Sequence, residues 1–216
     1  MERQRDSGLP DLMNWLAHVF LSQQDIDFQI GNYLADPLKG KLWPTASQSL
    51  QKGLKTHILI DSFTDSHEVV KRSKDRLRDS GLLKSIVMDI TYDYFLSKHW
   101  NKYCNIPFDE FTQEFYTKAT QRIDDFPFKA ANSVDRIIKY RILNKYQTLQ
   151  DLEVAFIRID RRLSPKLLSR DSAASYFKAV STHINELEED FIEFFPQLCE
   201  MVKQNVDDTK INHWKI

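Results

Sequence analysis

Residues 57–67 read HILIDSFTDSH. His57, Asp61 and Asp65 recur every fourth residue, with Ile58, Leu59, Ile60 and Phe63 between them. In an α-helix, at about 100° per residue, the three polar side chains fall within about 80° of one another, on one face. One imidazole and two carboxylates on one face are the donors a divalent cation takes. They are also what the wet side of an amphipathic helix looks like, and this segment alone favours that plainer reading.

A second segment, DITYDYFLSKHW, changes the balance. Asp89 and Asp93 stand one helical turn apart and share their face with Ile86, Leu96 and Trp100. Carboxylates among large apolar groups are costly unless ion-paired, hydrogen-bonded or metal-bound. A salt bridge, the capping of a neighbouring helix and a functional role all stay open here. His18 lies in NWLAHVFL, where a lone histidine is more often a hydrogen-bonded core residue than a ligand. Asp36 precedes Pro37, so the chain turns there, and the carboxylate caps or ligates. Taken together, two histidines and several aspartates on separate apolar segments suit a hard or borderline cation such as Mn²⁺ or Mg²⁺ better than a thiolate zinc site. The core of a helix bundle is a natural place for it.

The elements that must position these residues read as helices. The five glycines are Gly8, Gly31, Gly40, Gly53 and Gly81, and none follows. Sheet proteins need tight turns, and turns need glycine. The patterning predicts helical segments over about 14–35 (broken near SQQD), 48–63 and onward, 82–103, 107–123, 130–143, 147–162 and 170–205. Pro44, Pro127 and Pro165 fall between them, while Pro196 sits inside the last, where it should split or kink it. No repeat, low-complexity tract or Gly/Ser linker divides the chain, so one all-α domain is expected. Of 216 residues, 42% are hydrophobic and 28% charged, with a net charge of −1, which argues against a strongly basic nucleic-acid binder. No apolar run is long enough to span a bilayer. The opening MERQRDSGLPDLMNWLAHVFLS is not read as a signal peptide, because His18 interrupts its apolar part and no small-residue cleavage site follows. Cys104 and Cys199 are far apart and suit two reduced thiols in a cytoplasmic protein.

Four motifs then occur in order: MNWLAHVFLS, IGNYLADPLKG, GLKTHILIDSFTD and DITYDYFLSKHW, with looser matches in RIDRRLS and EFFPQL. The linked set resembles the acyl carrier protein phosphodiesterase family, over residues from Met13 to about Lys203. The resemblance implies a distorted relative of the helical HD phosphohydrolases in residues 13–216, preceded by an extension, 1–12, of no catalytic use. It implies Mn²⁺-dependent removal of 4′-phosphopantetheine from holo acyl carrier protein, by hydrolysis of the phosphodiester to the carrier's serine. Matched residue by residue, the family's polar positions are His18, Asp36, His57, Asp61, Asp65, Asp89, Asp93 and His99. From these, Asp36, His57, Asp61 and Asp93, with His18 as a fifth, are the expected metal ligands. His18, His99 and Asp65 are the expected catalytic or orienting groups. Two departures stand out. There is no adjacent His-Asp pair, and HILID replaces the family's HRRID.

Acyl carrier proteins are acidic, with a negatively charged helix beside the modified serine, so a basic surface is expected to receive them. Lys39 and Lys41, together with Arg161 and Arg162 of RIDRRLSPK, are the expected contacts; Arg158 and Lys166 stand beside the latter pair, and VDRIIKYR adds Arg136, Lys139 and Arg141. Each cluster by itself reads as a solvated helix face. Two other functions compete: a metal-dependent phosphohydrolase of nucleotides or small phosphodiesters, and a helical carrier-binding protein without activity.

Overall fold

A computed structural model describes residues 15–216. The extension expected over residues 1–12 lies outside them. The helices are α1 (Trp15–Phe20), α2 (Ile26–Leu34), α3 (Gln48–Ser66), α4 (Glu68–Leu77), α5 (Lys84–Lys98), α6 (Trp100–Tyr103), α7 (Phe108–Thr120), α8 (Phe128–Lys139), α9 (Leu149–Asp160), α10 (Pro165–Leu168), α11 (Phe177–Thr182) and α12 (Ile184–Lys203). Among the described residues there is no β-strand, only an isolated bridge between Cys104 and Trp214. The fold is all-α, as the glycine distribution indicates.

Local chemistry sets the boundaries. Asp25 caps α2 through the Phe28 amide, and Ser47 caps α3 through the Leu50 amide. Thr148 and Asp151 form a reciprocal capping box at the start of α9. Pro107 and Pro127 immediately precede α7 and α8, and Pro165 occupies the first turn of α10. α5 buries residues from Val87 to Leu96 on nearly every face, as befits a central helix.

Two expectations change. The segment at 170–205 is not one helix. Asp160 accepts hydrogen bonds from Ser172 Oγ and from the amides of Ala173 and Ala174, while Asp171 accepts from the Leu83 amide and the Tyr176 hydroxyl. These bonds fold residues 171–176 into a turn, and the helix resumes only as α11 and α12. Pro196, by contrast, does not split α12, which runs on from Ile184 to Lys203. Tertiary packing outweighs its missing amide: Phe191, Phe194, Phe195, Leu198 and Cys199 are all buried around it.

α2 and α3 cross at backbone contact. A Cβ added at Gly31 would stand 2.1 Å from the Leu50 carbonyl oxygen, and one at Gly53 would stand 2.0 Å from that of Phe28. The short helix α1 is held at both ends. Asp93 on α5 accepts from the Leu16 and Ala17 amides at 3.0 and 2.9 Å, satisfying donors that a helix N-terminus leaves open. At the other end the Phe20 carbonyl accepts from His213 Nε2 at 2.7 Å and Trp214 Nε1 at 3.0 Å. A further tie joins α4 to α12: Arg72, Ser73 and Arg76 all donate to the buried Asp190.

Two consequences can be measured. Gly53→Ala forces a methyl into backbone that has no side chain to move aside, and should destabilise the protein by about 1–3 kcal/mol in a denaturant titration. The second concerns His213, which is fully buried with no hydrogen-bond partner for Nδ1. Burial pushes it from 6.5 down to about 4, against the pull of the Phe20 carbonyl. The unfolded chain therefore binds this proton first. Stability is full above the unfolded value of 6.5 and should fall by on the order of 3 kcal/mol as the pH drops toward about 4. Urea midpoints above and inside this window check the slope, and His213→Gln, which keeps a donor for Phe20, should flatten it.

Candidate metal centre

Three segments converge at one end of the α2–α3 crossing. α1 supplies His18, the turn after α2 supplies Asp36, and α3 supplies His57 and Asp61 from successive turns. His57 Nε2 lies 3.1 Å from Asp36 Oδ1 and 3.0 Å from Asp61 Oδ2, and His18 Nε2 lies 3.3 Å from Asp61 Oδ1. One donor atom from each of His18, His57 and Asp61 falls within 4.8 Å of the others. The two imidazoles stack, with centroids 4.0 Å apart and planes 20° apart. Exposure is graded: 0% and 3% for the His18 and His57 side chains, 19% and 39% for Asp36 and Asp61. The imidazoles form a buried floor, and the carboxylates open toward solvent. Asp36 is placed by its turn, where the chain leaves α2 through Lys39 and Gly40 in the left-handed region (φ 54° and 73°).

The tautomer of His18 follows from its neighbours. Ser22 Oγ donates to the His18 carbonyl, and Asn32 Nδ2 donates to both that carbonyl and Ser22 Oγ. Asn32 must therefore turn its oxygen toward His18, at 2.8 Å from Nδ1. An oxygen there requires a proton on Nδ1, which leaves the lone pair of neutral His18 on Nε2, facing the cluster. That nitrogen makes no hydrogen bond, and neither does the buried Oδ2 of Asp36. Buried polar atoms without partners are rare, and these two border the same cluster. The donor set of imidazole nitrogens and carboxylate oxygens fits a divalent cation on that observation.

The charges reinforce one another. Burial alone would lower His57, but its hydrogen bonds to Asp36 and Asp61 prevail and raise it to about 10. Burial alone would raise Asp61, but His18 and His57 prevail and hold it well below the usual carboxylate range. A cation bound here takes the place of the His57 proton.

The other expected residues are placed elsewhere. Asp93 does not join the group, because both its oxygens accept amides of α1. Asp65 is exposed and pairs with Lys74 on α4. His99 follows α5, and its Nε2 faces Glu188 on α12. Lys39 and Lys41 are exposed on the turn beyond Asp36, and Arg161 and Arg162 at the end of α9. Ile58, next to His57 in sequence, is 52% exposed.

Two further residues border the site, one not expected from the sequence and one matched to a family polar position without an assigned role. Asn32 is one, and its signal in the sequence is its position one helical turn before Asp36. Asp89 is the other. Poor solvation first, then the negative charges of Asp61, Asp65 and Asp36, with Lys74 opposing, raise its carboxyl to about 8.

Comparison with known proteins gives this geometry a lineage. The family model for acyl carrier protein phosphodiesterase matches residues 13–198. An acyl carrier protein phosphodiesterase of Enterobacter sp. (strain 638) is 25% identical over 193 residues, covering 88% of this chain and 98% of its own length. One from Klebsiella pneumoniae (strain ATCC 700721) is 26% identical over the same shares, and one from Escherichia coli O6:K15:H31 is 25% identical over 89% of this chain and 98% of its own. No solved structure matches. The residues that gather here all fall within the matched range, and the chain belongs to the acyl carrier protein phosphodiesterase family.

Proposed function

We propose that this protein is a metal-dependent phosphodiesterase that converts holo acyl carrier protein to apo acyl carrier protein and 4′-phosphopantetheine. The observation that carries the reading is the convergence of His18, Asp36, His57 and Asp61, in a chain of this family, around two buried donor atoms that no protein group satisfies. These four are the proposed ligands, and Mn²⁺ or Mg²⁺ is the proposed metal. When bound, the cation supplies an activated water and neutralises charge on the phosphoryl oxygens.

The chain's own groups do the rest. Asn32 keeps His18 Nε2 free of a proton, and Asp61 bridges the two imidazoles. The exposed carboxylate edge leaves room for a phosphodiester that the buried imidazole floor could not admit. Water adds to phosphorus, and the bond to the carrier's serine oxygen breaks. That oxygen leaves with a proton, so the products balance as a serine hydroxyl and a phosphate monoester. Lys39 and Lys41, the cations next to Asp36 along the chain, are proposed to meet the substrate phosphate. No helix among the described residues is long and apolar enough to cross a membrane, and the proposed place of action is the cytoplasm.

Incubation with holo acyl carrier protein and Mn²⁺, followed by intact mass, tests the reading. Loss of the whole phosphopantetheine arm is expected, and an unchanged carrier mass over long incubation overturns it. Asn32→Ala isolates the orientation of His18. Removing an outer partner of a metal-bound imidazole should weaken Mn²⁺ binding by roughly 10–100-fold, measured by direct titration. An unchanged affinity would sink the role given to Asn32.

A further inference from the structure

Two basic segments that are separate in sequence meet on one cavity. Arg136 comes from α8, Lys145 follows the turn at Ile142–Asn144, and Arg158 and Arg162 come from α9 and its exit. With Tyr140 and Tyr146 they border a cavity of about 220 Å³ that no carboxylate lines. Among the described residues, no carboxylate pairs with Lys145, Arg158 or Arg162. The acids of α9 are engaged elsewhere: Asp151 in its capping box, Glu153 with Gln150, and Asp160 in the turn at Ser172–Ala174. Lys145, Arg158 and Arg162 around one void, with Arg136 beside them, in a chain whose net charge is −1, are a local concentration of positive charge that an anion would relieve.

The character of the surface decides the size of that anion. The positive charge does not stop at the cavity's rim, since Lys139, Arg141 and Arg161 are exposed around it. Tyr140 is 54% exposed at the mouth and offers a flat apolar contact. A site built for one small anion would close around it, whereas this one spreads into a patch suited to an acidic macromolecular face. Its location also matters. The turn at Ile142–Asn144 packs against α1, the helix that carries His18, and Ser97 on α5 donates to the Tyr146 carbonyl at 2.8 Å. A body seated on this cleft therefore rests against the elements that hold the metal centre.

We propose that this cleft docks the acidic helix of the acyl carrier protein, anchored by Arg158 and Arg162 with Arg136 and Lys145 behind them. The proposal rests on the function given above and adds to it the surface that selects the partner. It moves the centre of recognition away from Lys39, Lys41 and Arg161, keeps Arg162 with the neighbouring Arg158 and Arg136 of the basic surface expected from sequence, and adds Lys145.

The test uses the full chain and apo acyl carrier protein, which has the acidic face but no bond to cleave. Fluorescence anisotropy should show binding that weakens with salt. Arg158→Glu combined with Arg162→Glu should weaken it at least about tenfold and flatten the salt dependence. Arg158→Lys with Arg162→Lys should retain most of the affinity. The unfolding midpoint and Mn²⁺ affinity show that each variant is folded. Carrier affinity unchanged by the reversal overturns the docking surface and leaves the proposed function standing. Loss of inorganic phosphate binding with carrier affinity intact makes the cleft a small-anion pocket and also overturns it. If wild type hydrolyses a small diester such as bis(p-nitrophenyl) phosphate but neither binds nor cleaves a carrier, the functional reading fails and the docking surface fails with it.

Discussion

The candidate metal centre depends on a crossing at which no side chain intervenes. α2 and α3 meet through Gly31 and Gly53, so the distance between them is set by backbone against backbone. This is stiffer than a contact between side chains, which can change rotamer. Asn32 follows directly on Gly31, and His57 is one turn beyond Gly53. Asp36 and Asp61 are each one further turn along in sequence. The contact between Asp36 and His57 is thus fixed by this crossing, and Asn32, which accepts from His18 Nδ1, is carried on the same helix α2. Any larger residue at either glycine would move Asp36 away from His57.

The four groups hold one another in an arrangement that suits both a proton and a cation. Burying two imidazoles would be unfavourable unless each faced an acceptor. His57 faces both Asp36 and Asp61, and His18 finds its acceptor in Asn32. The outcome is a His57 that stays protonated to about 10 and an Asp61 that stays ionised far below the usual carboxylate range. The same complementarity that holds the proton makes the ligand set ready in advance, so binding a cation requires exchange of charge rather than rearrangement of helices.

Much of this was legible in the sequence. The absence of glycine after position 81 indicated helices, and the spacing of His57 and Asp61 placed them on one face. The choice between Asp89 and Asp93 was not legible. They sit one turn apart with the same apolar company, and periodicity treats them alike. The difference is tertiary: the N-terminus of α1 arrives at Asp93 and uses both its oxygens, while Asp89 is left among the carboxylates of the cluster. His99 escaped for a similar reason, since its partner, Glu188, is on α12, far along the chain. The cleft of Arg136, Lys145, Arg158 and Arg162 is likewise invisible locally. Each cation belongs to an ordinary polar helix face, and only the packing of α8 and α9 makes them one surface.

α1 is where these features are joined. A helix of six residues does not persist on its own, because nucleation is unfavourable and too few bonds follow it. The position of His18 is therefore set by what holds the two ends: the Asp93 carboxylate at one, His213 and Trp214 on the Phe20 carbonyl at the other. The basic cleft adds a third contact, through the turn at Ile142–Asn144. Binding energy gained far from the reacting bond accelerates a reaction only if it is used to orient the reacting groups. Here the path for that use is short. On the proposed docking, a carrier seated on the cleft would lie against the turn that packs on α1, and α1 presents the imidazole whose unpartnered Nε2 faces the cluster. Recognition of the proposed partner and geometry of the candidate metal centre would then meet in a single helical turn and a half.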